Sequence, residues 1–350
     1  MEYTTYAIAS SALASFLLAK VLVLTADRHG RFTMDLPGAV QKFHSNPTPR
    51  IGGIGIYLAL IVAWRFVPER DAAGILATIL LAGIPALLIG LIEDLTKRVG
   101  VGIRLIATMA SGALACWLGG TSLTHVDWSM ADSLLRVAPV AVIFTAFAVG
   151  GVSNAINIID GFHGLASGTA VLCLLALACI AAHVGDSALV LTSVVVAAAI
   201  AGFWMVNFPW GKLFLGDGGA YFAGFALAWL AVLLPMRNPA VSPWASLLVC
   251  AYPIVEVMYS IVRRLHSRHS AGEPDRRHLH SLVATQVIPK LLPSLHPALQ
   301  NSSVSVIMWL CAAVPALAAI AFHHSTGWLV LCAAAVVVTY HLIYRRVART

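Results

Sequence analysis

Charge is scarce in this chain. Asp, Glu, Lys and Arg make up only 11% of its 350 residues, while 59% are hydrophobic. A soluble domain carries nearer a quarter charged residues, so an integral membrane protein is expected and a large globular core is excluded. Paired cysteine spacing is missing as well. Cys116, Cys173, Cys179, Cys250, Cys311 and Cys332 all lie in apolar runs with no CxxC, and read as packing residues rather than disulfides or zinc ligands. No basic region precedes the first apolar stretch, about 6–25, which is long enough to span; no cleavable signal peptide is expected. No repeat, low-complexity tract or soluble module interrupts the sequence, so 1–350 reads as one integral membrane domain. The net charge of +7 is scattered through short loops, which points to membrane orientation and away from nucleic acid.

What is present is a series of apolar runs of spanning length. Eleven candidate helices fall at about 4–24, 51–67, 73–92, 102–120, 135–153, 165–184, 187–206, 219–235, 243–263, 304–323 and 327–344. The expected fold is therefore all-α and polytopic. The loops after spans 1, 3, 5, 7 and 9, with the C-terminus, hold seventeen of the basic residues; the other face has only Arg65, Arg70, Arg136 and Arg237. By the positive-inside rule the richer face is cytoplasmic, with the N-terminus outside and the C-terminus inside.

Five polar clusters lie on that face. The first loop has Asp35, Pro37, His44, Pro47, Pro49 and Arg50, then Gly52-Gly53, a pair expected to allow close backbone approach to a ligand. Glu93-Asp94 closes the third span; adjacent carboxylates call for a cation or a cationic partner, and Lys97 and Arg98 are at hand. Asn154, Asn157 and Asp160, followed by Gly161, stand at spacings of three at the end of the fifth span. Polar groups facing hydrocarbon cost several kcal/mol each unless partnered, so this is either a polar helix end or a binding site. Asn207, Pro209, Lys212, Gly216 and Asp217 form a glycine-rich turn at a helix start, where Asp217 either caps the helix or faces a metal and phosphates. The long loop 264–303 carries Pro274, Asp275, Arg276, His278 and His280; an extended backbone would put both histidines on one side, for metal or, with arginines near, for phosphate. Hard oxygens and a basic loop on one face make a site for a divalent cation and a polyphosphate.

Taken together, these motifs resemble the polyprenyl-phosphate N-acetylhexosamine-1-phosphate transferases of glycosyltransferase family 4. That superfamily includes the initiating enzymes of O-antigen, enterobacterial common antigen and teichoic acid, and the lipid I synthase. The resemblance covers essentially the whole chain: the acidic pair is Glu93-Asp94, the NxxNxxDG motif runs from Asn154 to Gly161, and the NxPxxKxFxGD segment runs from Asn207 to Asp217. The basic PDRxHxH loop runs from Pro274 to His280. It implies transfer of a sugar 1-phosphate from a UDP-sugar to polyprenyl phosphate in the bacterial inner membrane, releasing UMP. It implies magnesium, or manganese in its place, held by Asn157 and Asp217, with Asp94 near the lipid phosphate as base or organiser and Glu93 beside it. By the same resemblance Asp160 is a site residue and Asn207 meets uridine, while Arg276, His278 and His280 meet phosphates. His44, Arg50, Asn154 and Lys212 complete the expected substrate contacts. A homodimer is left open. The sequence departs from the family pattern at Glu93 (usually Asp), at His163 (an acid in DGxDG), at Ser281 (a further histidine), and at Phe208 and Trp210. Pro253, Glu256 and Arg263-Arg264 look closer to the O-antigen enzymes than to the peptidoglycan one. The rival reading is a secondary transporter, with Glu256 inside the ninth span as its best residue; a non-catalytic scaffold has no need of so costly a constellation.

Overall fold

The computed structural model describes residues 2–35, 47–267 and 277–349. His44, Pro274, Asp275 and Arg276 lie outside the described residues. The chain is helical almost throughout. In order come α1 (Glu2–Leu24), α2 (Ala26–Thr33), α3 (Gly52–Trp64), α4 (Arg70–Ala82), α5 (Ile84–Thr96), α6 (Val101–Gly119), α7 (Ser129–Leu135), α8 (Ala138–Ile158) and α9 (Leu165–His183). Then follow α10 (Ser187–Asn207), α11 (Gly216–Arg237), α12 (Pro243–Val249), α13 (Ala251–Ser267), α14 (Leu279–Leu282), α15 (Ile288–Leu291), α16 (Pro297–Phe322) and α17 (Thr326–Val347). The only strands among the described residues are Met34–Asp35 and Thr48–Pro49, paired antiparallel.

The polytopic all-α expectation holds, with two refinements. Nine helices among the described residues are long and apolar enough to cross a membrane, α4 and α5 counting as one, and a bent pair brings the number to ten. The expected span at 51–67 is only α3, 13 residues or roughly 20 Å at 1.5 Å per residue, short of a ~30 Å hydrocarbon core. The expected span at 243–263 is broken into α12 and α13, which meet at 76°. Pro253 explains the break: it lacks an N–H and cannot bond the carbonyl of Val249 four residues back. That carbonyl instead accepts the Cys173 thiol of α9 at 3.1 Å.

α11 is the axis of the bundle. Every residue from Gly218 to Pro235 is buried, and α3, α5, α8 and α9 pack directly on it. Lipid tails are as apolar as leucine, so close backbone approach has to do the work that water exclusion does in a soluble core. Glycines supply it. A Cβ on Gly53 would lie 2.3 Å from the Cα of Gly219, one on Gly90 2.3 Å from the nitrogen of Gly218, and one on Gly224 2.7 Å from the Cα of Ser153. The pair Gly52-Gly53 therefore serves helix contact, not approach to a ligand. α1 and α17 sit at the periphery, with 22% and 11% of their spanning windows buried.

The up-and-down path brings alternate connections to opposite ends. At one end Arg237 bridges Asp71 and Asp186, and Asp127 accepts hydroxyls from Ser242 and Thr326 at 2.6 Å each. At the other end gather Asp35 and residues 47–51, the α5–α6 turn, the α8–α9 turn and the α10–α11 loop.

Gly90→Ala should force α5 away from α11, lowering stability by about 1–3 kcal/mol. Gly74→Ala, which meets nothing within 4 Å, should leave the melting temperature unchanged. Thermal unfolding of the detergent-purified variants checks this; equal melting temperatures would contradict the packing account.

Candidate functional site

The site is assembled around the first turn of α11. Its free N–H groups need an acceptor, and no residue of its own loop supplies one: the N-cap position is Leu215. The acceptor comes from α5. Asp94 Oδ1 accepts the Asp217 N–H at 2.9 Å and Oδ2 accepts the Gly218 N–H at 3.0 Å. A carboxylate from a neighbouring helix thus caps α11, a favourable place for negative charge. Because Asp94 takes the capping role, Asp217 is free to turn its own carboxylate outward.

Gly216 makes this approach feasible. Its φ is +75°, and a Cβ there would stand 2.2 Å from the Arg50 carbonyl oxygen and 2.7 Å from Asp94 Oδ2. The first loop docks alongside: Phe214 N–H donates to Pro49 O, while Gly52 and Gly53 donate to Phe214 O and Leu215 O.

Arg50 ties these parts into one charge cluster. Its Nε meets Asp94 Oδ1 at 2.8 Å, its Nη2 meets Asp217 Oδ1 at 3.0 Å, and its Nη1 meets Asp35 Oδ1 at 3.6 Å. Burial alone would lower the pKa of Arg50, but Asp94, Asp217, Asp35 and Asp160 together hold it above the ordinary arginine value. Arg104, from the first turn of α6, donates to Asp217 Oδ2 at 3.0 Å, and Lys97 lies 3.6 Å from Asp35. Asn157 Nδ2 donates to Asp217 Oδ1 at 3.1 Å, leaving its amide oxygen as an acceptor.

Asp35, Arg50, Asn157, Asp160, Phe162, His163, Asn207, Phe214, Asp217 and Asn301 line a cavity of about 130 Å³. Asp160 stands on the turn after α8, outside the spanning helices. Its pKa is pushed up to about 8, by burial first and then by the like charges of Asp217 and Asp94, against the pull of Arg50. With Asp160 protonated, Asp35, Asp94 and Asp217 are matched by Arg50, Arg104 and Lys97.

The expected residues separate into three groups. Arg50, Asn157, Asp160, Asn207 and Asp217 line the cavity. Asp94, 2% exposed and engaged on both oxygens, organises the site from behind. Glu93, Asn154 and Lys212 are elsewhere. Glu93 accepts the Val99 N–H at 2.7 Å and shapes the turn into α6. Asn154 donates to Thr108 Oγ1 and Gly150 O, pinning α8 to α6. Lys212 is exposed. Asn207 is used by backbone at both ends of its amide, accepting from Gly164 N–H and donating to Leu213 O; it fastens the α8–α9 turn to the α10–α11 loop. His163 donates through Nδ1 to Pro209 O at 3.0 Å, and its backbone N–H donates to Asn301 Oδ1 at 2.8 Å. His278 and His280 are buried rather than open to the cavity. The backbone is extended only at His278, which precedes α14, while His280 lies within that helix.

Arg104 and Asn301 enter the site without having been singled out for it, and Asp35, named in the first polar cluster, joins them without having been given a role. The readable signal for Arg104 was a cation one turn inside an apolar run; nothing local marks Asn301, which arrives from α16. Among the described residues no three His, Cys, Asp or Glu side chains stand together as a closed metal cage. The carboxylate of Asp217 and the amide oxygen of Asn157 are hard donors on one wall, which fits a cation such as magnesium that completes its shell from substrate oxygens and water.

Known proteins resemble the chain over much of its length. The glycosyl transferase family 4 pattern matches residues 76–235, from α4 to the end of α11. A Mycobacterium leprae decaprenyl-phosphate N-acetylglucosaminephosphotransferase is 30% identical over 278 residues, covering 69% of this chain and 67% of its own length. An undecaprenyl-phosphate alpha-N-acetylglucosaminyl 1-phosphate transferase of Thermotoga maritima is 29% identical, covering 79% and 80%. One of that description from Escherichia coli K12 is 27% identical, covering 69% and 67%. The matched stretch thus spans about two thirds of the mycobacterial and E. coli relatives.

The raised pKa of Asp160 has a consequence for stability. Between about pH 4 and pH 8 the folded protein keeps a proton that the unfolded chain has lost, so stability contributed at this site falls as pH rises through that window and levels off above about 8. Asp160→Asn removes the slope. The melting temperature of the variant relative to the wild type should rise from about pH 5 to about pH 8; parallel pH profiles would contradict the assignment.

Proposed function

Because the chain belongs to glycosyl transferase family 4, we propose that it transfers a sugar 1-phosphate from a UDP-sugar to a polyprenyl phosphate, releasing UMP. The sugar is an N-acetylhexosamine, and the product starts assembly of a cell-envelope polysaccharide of the O-antigen type. The observation that carries the reading is the cavity lined by Asn157, Asp160, Asp217 and Arg50, with the Arg104 guanidinium held behind it on Asp217. An oxygen-donor wall beside fixed cations suits an anionic substrate held with a metal. The names of the relatives support the substrate classes.

Two anions must meet: a phosphate oxygen of the lipid attacks the β-phosphorus of the donor, and the bond to the UMP oxygen breaks. Bound at Asn157 and Asp217, magnesium, or manganese in its place, would offset repulsion and stabilise charge on the leaving UMP. Arg50 and Arg104 are fixed cations next to the same cavity, positioned before reaction and needing no reorganisation. The attacking phosphate is already an anion near neutral pH, so no strong base is required. Asp94, enclosed by three donors, acts as organiser by holding Asp217 and Arg50 in register. Phe214 and His163 supply flat faces on the cavity wall, their rings 5.9 Å apart, suited to one side of a nucleobase or sugar.

The site end faces the cytoplasm of a bacterial inner membrane, with the N-terminus outside and the C-terminus inside; the seventeen-to-four division of basic residues supports this. A transporter loses its best residue, since Glu256 is occupied with His278 and the Leu279 N–H.

Purified protein given polyprenyl phosphate, magnesium and a panel of UDP-sugars should release UMP and form a lipid-linked sugar diphosphate, identified by mass. Folded protein that releases none from any donor would contradict the proposal. Asp217→Ala should reduce turnover by at least about 10²-fold with membrane insertion intact; near wild-type turnover would overturn its place in the site.

A further inference from the structure

Glu256 lies midway along α13 and is 1% exposed. A carboxylate at that depth is costly unless donors surround it. The donors within hydrogen-bond distance of it come from one short segment, with Tyr340 of α17 also close by. Oε1 accepts the Leu279 N–H at 2.8 Å and meets His278 Nδ1 at 3.2 Å; Oε2 lies 3.8 Å from His280 Nδ1, an ion-pair distance. Carboxylate oxygens accept and do not donate, so His278 Nδ1 carries a hydrogen. The two imidazole planes are within 3° of parallel with centroids 5.2 Å apart. With both Nδ1 atoms turned to one carboxylate, both Nε2 edges point the other way.

That other way leads to the cavity wall. A Cβ on Gly161 would be 3.9 Å from His280 Nε2, and the His280 ring stands edge-on to Phe162 at 5.7 Å. Gly161 and Phe162 both line the cavity beside Asp160.

We propose that Glu256 is the positioning residue for the transfer reaction, holding His278 and His280 by their Nδ1 sides so that their Nε2 edges are presented to the Asp160–Phe162 wall where the donor diphosphate is handled. This rests on the preceding reading that the two histidines serve that diphosphate. The bend between α12 and α13 belongs to the same device, because it sets the direction of the helix that carries the carboxylate under the histidine segment.

Glu256→Gln keeps the size of the side chain and an acceptor for the Leu279 N–H and His278 Nδ1, but removes the negative charge and puts an amide hydrogen where Oε2 faced His280 Nδ1. The expected result is a fall in kcat/KM for the UDP-sugar of about 10–100-fold, as when a ligand loses its orienting partner, with the KM for polyprenyl phosphate unchanged. Added to His280→Ala, Glu256→Gln should cost nothing further; full additivity of the two losses would overturn the proposal, as would equal losses toward both substrates. A second arm needs no substrate. His278→Ala with His280→Ala leaves the buried carboxylate without its imidazole partners, so Glu256→Gln on that background should raise the melting temperature. A further drop would overturn the anchoring role. If the wild type releases no UMP from any donor, the functional reading fails by itself, and the melting arm still decides whether Glu256 anchors the histidines.

Discussion

The site depends on one guanidinium. Arg50 touches Asp94, Asp217 and Asp35, residues from α5, α11 and the first loop. Without a cation among them, those carboxylates would repel at the end of a bundle where little water screens them. With it, the α11 terminus is capped by Asp94, and Asp35 and Arg50 line the cavity together. The same pairs that keep the loops in register leave Asp217 facing the space in which a polyphosphate would lie.

The packing beneath serves that arrangement. Asp94 reaches the N–H groups of Asp217 and Gly218 only because α5 and α11 approach through Gly90 and Gly218 with no side chain between them. Chemistry at the bundle end and glycine contacts inside it are thus consequences of the same approach. The far end is stitched separately by Arg237 with Asp71 and Asp186, so each end of the bundle carries its own ionic tie.

Much of this was legible in the sequence, for identifiable reasons. Apolar length gave the spanning helices, because hydrocarbon imposes the same requirement on every one of them. Alternation of loops placed Arg50, Asp94, Asn157, Asp160 and Asp217 on one face. Length did not settle 51–67, where the apolar run continues past the point at which α3 ends at Trp64, nor 243–263, where Pro253 breaks the helix that hydrophobicity alone would continue. Side-chain duties were harder to read. Asn154, Asn157 and Asp160 have the same spacing, yet Asn154 pins α8 to α6 while Asn157 and Asp160 line the cavity, because a 100° turn per residue separates the two amides on α8 and Asp160 has already left the helix. Asp217 was readable as a cap or as a ligand; the cap turned out to be Asp94, from 123 positions away. Glu256, the best residue for the rival transporter reading, has the partner that justifies its burial 22 positions on. Such pairings live in tertiary contact, not in spacing.

The central claim is that Arg50 and Asp94 act as one unit in holding the site together. A double-mutant cycle on thermal stability tests it most directly, with Arg50→Gln, Asp94→Asn and the pair together. The account predicts a double variant scarcely less stable than the worse single one, a coupling of at least about 1 kcal/mol. Strict additivity of the two losses would contradict it.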